Sequence, residues 1–232
     1  MRSRTLARTC ILLLGIGVKA YASDPTDPTK PREGRGLMFG LALGPSDTHF
    51  GGAEDLVLVI GGPTGTIPLL GGESLEARAG ELVPRTLVPV DSEGVVPMRN
   101  QRGAAASLQF GWSFSRRLAV LLDFEANGGW DDSFNHVMGG PQVRYSPTSR
   151  LWVQAGPALG ELSYGFSSSV VRIPGRGKGF LVAAGLILLR RPMWLLDVQV
   201  RSLPLWYDQF HANNMSVQLG IIRRRSWGGP AS

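Results

Sequence analysis

The chain has 232 residues, a formal net charge of +6 and a single cysteine, and it contains 31 Gly and 16 Pro. Because Gly and Pro both weaken helix interiors, this composition disfavours a mainly helical protein. The cysteine, Cys10, falls within a predicted export leader, so the processed chain is expected to carry no disulfide, zinc–thiolate centre or cysteine nucleophile.

Residues 1–22 have the organisation of a secretory signal peptide. A basic start is followed by an apolar run over 11–18 and by the small-residue site Ala20-Tyr21-Ala22. The run is shorter than the roughly 20 residues that a transmembrane helix needs. The leader carries four basic residues and no acids, so its removal lowers the charge from +6 to +2. This change removes most of the support for nucleic-acid binding.

Both ends of the processed chain are predicted to be tails. Residues 23–35 have no apolar period and contain three prolines, which is typical of a flexible periplasmic segment. Residues 226–232 are predicted to form a C-terminal tail. The barrel domain described next is expected to occupy 36–225.

Eight segments of that domain alternate apolar side chains with polar or small ones. In the clearest, 106–114, Ala, Leu, Phe, Trp and Phe alternate with Ser, Gln, Gly and Ser. Successive strand side chains point to opposite faces, so one face is apolar and the other polar. Because the connections are alternately short and long, we predict an all-β fold, an eight-stranded antiparallel up-and-down transmembrane barrel with lipid outside. The strands are expected near 36–44, 105–114, 118–126, 135–145, 151–164, 179–189, 194–201 and 215–221.

The long connections are predicted to be extracellular loops. The first, 45–103, contains the apolar piece 56–60, which is either a short loop strand or a plug segment, with the loop strand favoured. Further polar loops are expected at 127–134, 165–178 and 203–213. The sixth strand is apolar on both faces, which leaves its register open. Glu161 falls on the apolar face of the fifth strand and predicts either a bulge or the point where the strand leaves the membrane.

Aromatic and basic residues collect near the short turns. Aromatic residues there predict a girdle at one membrane boundary, formed by Trp112, Phe114, Tyr145 and Trp194, and a second girdle is expected near the long loops. The arginines are predicted to contact inner-leaflet phosphates from a periplasmic rim, although turns also need charge for solubility alone. These arginines are Arg116, Arg117, Arg150, Arg190 and Arg191.

Charged residues on the polar face are predicted to meet inside the barrel. An unpaired buried ion costs several kcal/mol, so ion pairs or hydrogen-bonded networks are expected, with a gated ion path as the alternative. Eight strands enclose a lumen that side chains just fill, which disfavours a wide porin. The predicted lumen network consists of Asp123, Glu125, Arg144, Asp197 and Arg201.

Together these segments resemble the small outer-membrane barrel family that includes outer membrane protein X and the membrane domain of outer membrane protein A. The likeness covers about 36–225 and rests on the strands, connections, girdles and leader. It also rests on the final strand, where 218–223 is similar to the family's assembly signal. The chain departs from the pattern at its end, because Trp227 is followed by five residues whereas the family usually stops on an aromatic residue.

The resemblance implies a Gram-negative outer-membrane location and a non-enzymatic structural or surface-interaction role. It implies phospholipid, lipopolysaccharide and the barrel assembly machinery as partners. Some barrels of this size modify lipid A, and a His-x-Ser pair with a carboxylate marks the deacylase type. None of His49, His136 and His211 is followed two residues later by Ser, so no catalytic residue is predicted.

No metal or cofactor site is predicted. Residues 175–179, Gly-Arg-Gly-Lys-Gly, suit a phosphate cradle less well than a flexible hairpin tip. Asp131 and Asp132 are too few for a calcium shell. A soluble lipocalin-like barrel remains the main rival; it would invert the faces, so that Phe110 and Trp112 line a ligand cavity.

Overall fold

The protein forms a closed eight-stranded antiparallel β-barrel in the computed structural model, which confirms the predicted fold class. The structure describes residues 36–61, 66–70, 74–89, 94–130, 134–165, 170–191 and 193–226. No helix within these ranges is long and apolar enough to cross a membrane. The predicted leader 1–22, the tail 23–35 and residues 227–232 lie outside the described residues.

The barrel is a simple meander in which each strand pairs with its chain neighbours. It closes where the last strand pairs with the first, from Gly36 opposite Ser226 to Gly51 opposite His211. We number the barrel strands β1 Gly36–Gly51, β2 Gln101–Ser113, β3 Leu118–Gly129, β4 Phe134–Tyr145, β5 Leu151–Tyr164, β6 Gly177–Arg190, β7 Trp194–Trp206 and β8 His211–Ser226. We call the end with the connections 114–117, 146–150 and 191–193 the turn end, and the opposite end, with the longer connections 52–100 and 165–176, the loop end.

Several strands are longer than the alternation predicts. A membrane-spanning strand needs roughly 9–11 residues, and β1 and β8 have 16 each. The predicted loop 203–213 contracts to residues 207–210, and the first loop spans 52–100 rather than 45–103. Beyond the membrane the outward side chains become polar while the inward ones become apolar: Asp47 points outward and Phe50 inward. The alternation used for prediction therefore fades there while the strand continues.

The two open points on strand register are settled by the pairing. β4 and β5 pair without a shift from Leu159 opposite Gly139 to Tyr164 opposite Phe134, so there is no bulge at Glu161. The Glu161 side chain is exposed beside Arg176, as expected where the strand leaves the membrane. In β6 an irregularity lies near its turn end, at Ile187.

The outward face of the barrel is a continuous apolar belt. Its side chains are roughly half exposed, and no part of the chain that the structure describes covers them. A monomeric soluble protein rarely exposes so large an apolar surface, whereas lipid accepts it. The belt includes Phe39, Leu41, Leu43, Leu108, Phe110, Val120, Leu122, Phe124, Val143, Val153, Val182, Val200, Val217, Leu219 and Ile221. The faces are thus opposite to those of a lipocalin-like soluble barrel.

The inward face is polar in the middle and apolar towards both ends. Along β7 the buried inward side chains run from the turn end as Leu195, Asp197, Gln199, Arg201, Leu203 and Leu205. The first and the last two belong to one apolar cluster with Leu121, Met138 and Trp152. The polar layer therefore lies between apolar side chains.

The first long loop folds into a small β-structure, which we call the cap, over residues 56–97. Its strands Leu56–Val59, Leu82–Pro84 and Val95–Pro97 form an antiparallel sheet. A second hairpin pairs Thr66–Pro68 with Ser74–Glu76. The apolar piece predicted at 56–60 is thus the central strand of a loop sheet.

The two faces of the cap sheet have separate apolar clusters. One face is closed by Val57, Val59, Ile67, Ala77, Val83 and Val88. On the other face Leu58 joins a cluster that includes the loop ends of the barrel strands. The members of this second cluster are Phe50, Ala53, Leu58, Met98, Phe134, Leu162, Ile173, Phe210 and Ala212. The cap is therefore packed onto the barrel.

Candidate functional site

The centre of the lumen is an ion-pair cluster between β3 and β7. Arg201 Nε donates to Glu125 Oε2 at 2.5 Å, and its Nη2 donates to Asp123 Oδ1 at 2.6 Å. All three residues are at most 2% exposed. Because β3 and β7 are four strands apart in a ring of eight, these bonds join opposite walls of the barrel.

Two amides connect this cluster to Arg144. Gln109 and Gln154 each donate to Asp123 Oδ2, at 2.9 and 2.6 Å. Their carbonyl oxygens accept from Arg144 Nη2 at 2.5 and 2.7 Å. Arg144 is thus coupled to Asp123 through the neutral side chains of Gln109 and Gln154.

The other side of the cluster is held by asparagine and serine. Asn127 and Asn214 donate to Glu125 Oε1 at 3.1 and 3.2 Å. Nearby, Ser107 donates to Gln218 Oε1 at 2.7 Å. Buried ions are stable only when such hydrogen bonds satisfy their remaining atoms, and Glu125 meets that condition.

Asp197 is held by an indole instead of a cation. Trp152 Nε1 donates to Asp197 Oδ2 at 2.8 Å, and the Arg144 guanidinium lies 3.9 Å from the centroid of the same indole. This geometry allows a cation–π interaction. A Cβ added at Gly185 would lie 2.2 Å from Trp152 Cε2, so only glycine leaves room for the ring.

The structure thus brings the five predicted lumen residues into one buried layer. Three of them form direct ion pairs, Arg144 joins through amides and Asp197 through Trp152. The arrangement stiffens the barrel across its diameter and presents no nucleophile next to a base. The uncharged partners of this network were not identified from the sequence. They occupy inward positions in the alternation of their strands, which is the signal that would have found them. These partners are Gln109, Asn127, Gln154, Asn214 and Gln218.

The predicted girdle and rim residues lie at the turn end. Phe114, Tyr145 and Trp194 are exposed and Trp112 is partly exposed, all on the belt side or its edge. The five predicted rim arginines are exposed too. Arg116, Arg117 and Arg190 line one pocket among the turns. Arg150 and Arg191 are not among its lining residues.

The loop end holds the histidines and the glycine-rich segment. His136 Nε2 lies 2.6 Å from Tyr207 Oη, and the Tyr207 ring stacks on Phe210 at 4.5 Å between centroids. Burial, with the charge of Glu161, raises the pKa of the Tyr207 hydroxyl well above its usual range, so it stays protonated. This pair offers neither the serine nor the carboxylate of a deacylase.

The segments considered for ligands give no cluster of metal ligands. Among the described residues, no three His, Cys, Asp or Glu side chains are grouped to hold a metal ion. β6 begins at Gly177, and Arg176 is paired with Glu161 at 3.2 Å. The glycine-rich segment is therefore partly strand. Asp131 and Asp132 lie outside the described residues.

Comparison with known proteins gives structural likeness only. No protein-family model matches the sequence, and no curated protein matches it. Neisserial surface protein A is 11% identical, with a TM-score of 0.52 over 82% of this chain and 97% of that one. The attachment invasion locus protein Ail of Yersinia pestis is 10% identical over 81% and 98% of the two chains, with a TM-score of 0.37. OprG from Pseudomonas aeruginosa is 8% identical over 84% and 99%, with a TM-score of 0.39. By the first of these matches and by its own closed meander, the chain has the fold of the small eight-stranded outer-membrane barrels, with its apolar belt as the lipid-facing surface.

Proposed function

We propose that this protein is a non-enzymatic outer-membrane barrel that holds a folded cap at the cell surface. Its role is envelope integrity or surface contact through the cap and the neighbouring loops. The observation that carries the proposal is the apolar cluster that packs the cap onto the barrel's loop end. Outer-membrane barrels have short periplasmic turns and longer external loops, so the cap faces outward in this orientation.

The lumen supports an anchoring role better than transport. The polar layer is cross-linked from wall to wall by Arg201, and apolar side chains flank it on β7 at Leu195 and Leu203. An ion would have to break buried ion pairs to pass. The gated path considered from the sequence is therefore the weaker alternative.

The proposed partners are outer-membrane lipids and the barrel assembly machinery. At the turn end, the aromatic girdle and the arginines suit the headgroups of inner-leaflet phospholipids. At the loop end, Lys178 is exposed on the outward face and lies opposite Trp206 in the strand pairing. A cation beside a boundary tryptophan suits a lipopolysaccharide phosphate.

Fractionation of a Gram-negative host that expresses the full chain tests this proposal. We expect the protein in the outer-membrane fraction, with an electrophoretic mobility that changes on boiling, because a closed barrel resists detergent until it is heated. Surface labelling of intact cells should reach Lys178 of β6 and the cap, but not the connections at the turn end. A soluble periplasmic protein with no heat shift would contradict the proposal.

Truncation of the buried Leu58 is expected to unfold the cap locally while the barrel stays folded. Leu58 is fully buried in the cluster that joins the cap to the barrel, so Leu58→Ala should leave a cavity in that contact. We expect trypsin cleavage at the exposed Arg78 and Arg85 to become at least about tenfold faster, since local opening controls proteolysis. Heat-dependent mobility should be retained.

Leu87→Ala is the matched control, because Leu87 belongs to the same loop but is exposed. Its cleavage rate should stay close to that of the unaltered protein. Equal rates for Leu58→Ala and Leu87→Ala would show that the cap is not held by this cluster.

A further inference from the structure

A pocket of about 200 Å³ lies among the short turns. Its walls are Arg116 and Arg117 from the β2–β3 turn, residues 146–149 from the β4–β5 turn, and Arg190 at the end of β6. These parts come from three successive turns around the barrel. No side chain of the apolar belt lines it, so the pocket opens at the turn end and not through the lipid-facing wall.

The turns that form the pocket are basic in sequence. The turn sequences Phe114-Ser-Arg-Arg, Ser146-Pro-Thr-Ser-Arg and Arg190-Arg-Pro-Met contain five arginines and no Asp or Glu. Three arginines from two of these turns therefore line one space, and the turn sequences themselves add no acidic side chain to it.

Local hydrogen bonds hold the turns in this arrangement. Ser115 Oγ accepts from the backbone N–H groups of Arg117 and Leu118 at 3.1 and 3.0 Å. Thr148 Oγ1 accepts from those of Arg150 and Leu151 at 3.2 and 2.9 Å. Both are side-chain-stabilised turns, which limit backbone motion. Each hydroxyl keeps its own proton to donate.

One bond joins two of the turns directly. Arg190 Nη2 donates to the Ser149 carbonyl oxygen at 2.7 Å, which ties the end of β6 to the β4–β5 turn. A guanidinium has five N–H donors, so this bond leaves others for a ligand. The pocket is thus partly organised before anything binds.

We infer that this pocket binds a phosphate group through Arg117 and Arg190. Phosphate offers more acceptor oxygens and more negative charge than a carboxylate, and arginine matches its geometry through paired N–H donors. The Thr148 hydroxyl is placed on the same wall to donate one further bond. The site rests on the proposed function, because that orientation turns the pocket towards the periplasm and the inner-leaflet headgroups.

The phosphate has two possible sources with the same chemistry. One is the headgroup of an anionic phospholipid, and the other is a free phosphate ester in the periplasm. To separate them, the full chain is purified in a maltoside detergent, which carries no phosphate. Phosphatidylglycerol added to the micelles is followed by native mass spectrometry, and glycerol phosphate is titrated by calorimetry.

Arg117→Gln and Arg190→Gln should each weaken binding about tenfold or more. Arg150→Gln and Arg191→Gln are matched controls, since each removes one charge from the same rim outside the pocket, and they should change affinity less than twofold. Binding of phosphatidylglycerol alone assigns the headgroup source, and binding of glycerol phosphate assigns the free ester. An equal loss of affinity in all four variants would show that the general charge of the rim, and not the pocket, binds the phosphate. The absence of binding to both phosphatidylglycerol and glycerol phosphate would also refute the site.

Heat-dependent mobility of each purified variant separates this test from that of the proposed function. A variant that keeps the shift is a folded barrel, so its lost binding reports on the pocket. If the unaltered chain itself lacks the shift, the proposed function fails instead.

Discussion

Replacement of Arg201 by methionine is expected to destabilise the barrel by about 3–5 kcal/mol. The change removes the cation that bonds both Asp123 and Glu125 while leaving two buried carboxylates in the lumen. Uncompensated buried charge is the costly part, since an intact buried pair contributes little net stability by itself. The measurement is urea unfolding of the protein folded into lipid vesicles, followed by tryptophan fluorescence and by the heat-dependent band.

Arg176→Met is the matched control for this change. It breaks an ion pair with Glu161 at 3.2 Å, but both side chains are more than half exposed. Exposed pairs contribute about 0–1 kcal/mol, so the control should unfold near the urea concentration of the unaltered protein. If the two variants unfold together, the lumen network does not hold the barrel walls in place.

The membrane-spanning parts of the strands could be predicted because two solvents act on them. Lipid outside and a polar filled lumen inside require opposite side chains at successive positions, so in the middle of β3 the outward Leu122 and Phe124 alternate with the inward Asp123 and Glu125. The prediction of strand ends failed where the strands continue beyond the lipid, because the outward face is no longer apolar there. At the loop ends of β7 and β8 both environments become mixed, and only residues 207–210 of the predicted loop 203–213 lie outside the strands.

The cap could not be derived from alternation for a different reason. Its central strand is buried on both faces, with Val57, Leu58 and Val59 all at most 5% exposed. Such a strand is a continuous apolar run, which fits a loop strand and also leaves a plug segment open. Its partners are three-residue strands, with pairings as far apart in the chain as Val57 and Pro97, and they are too short to be recognised alone.

The lumen shows what can be predicted from the alternation of inward and outward positions along each strand. It predicted which charged side chains face inward, because that depends only on position along each strand. It did not predict that Arg201 reaches Asp123 and Glu125, because that depends on the strand order around the closed ring. The neutral linkers Gln109 and Gln154 share the same parity, yet only the three-dimensional arrangement shows that they join Arg144 to Asp123.

Leu122→Arg tests the lipid-facing belt itself. Leu122 lies in the middle of β3, between Phe110 and Pro141 on the neighbouring strands, and its side chain points outward. An arginine on the lipid face near the bilayer midplane costs about 2–4 kcal/mol. We therefore expect a loss of that size in vesicle unfolding, and reduced abundance in the outer-membrane fraction.

The control for this prediction is the same substitution at an equal exposure outside the belt. Leu122 and Leu87 are both 45% exposed, but Leu87 lies in the first loop. A barrel surrounded by water would accept arginine equally at the two positions, since exposed substitutions usually change stability by less than about 0.5 kcal/mol. Only in a barrel surrounded by lipid should the two variants differ in stability, because the guanidinium is desolvated at position 122 and not at position 87. Equal stability of Leu122→Arg and Leu87→Arg would therefore refute the membrane-facing belt while leaving the strand order intact.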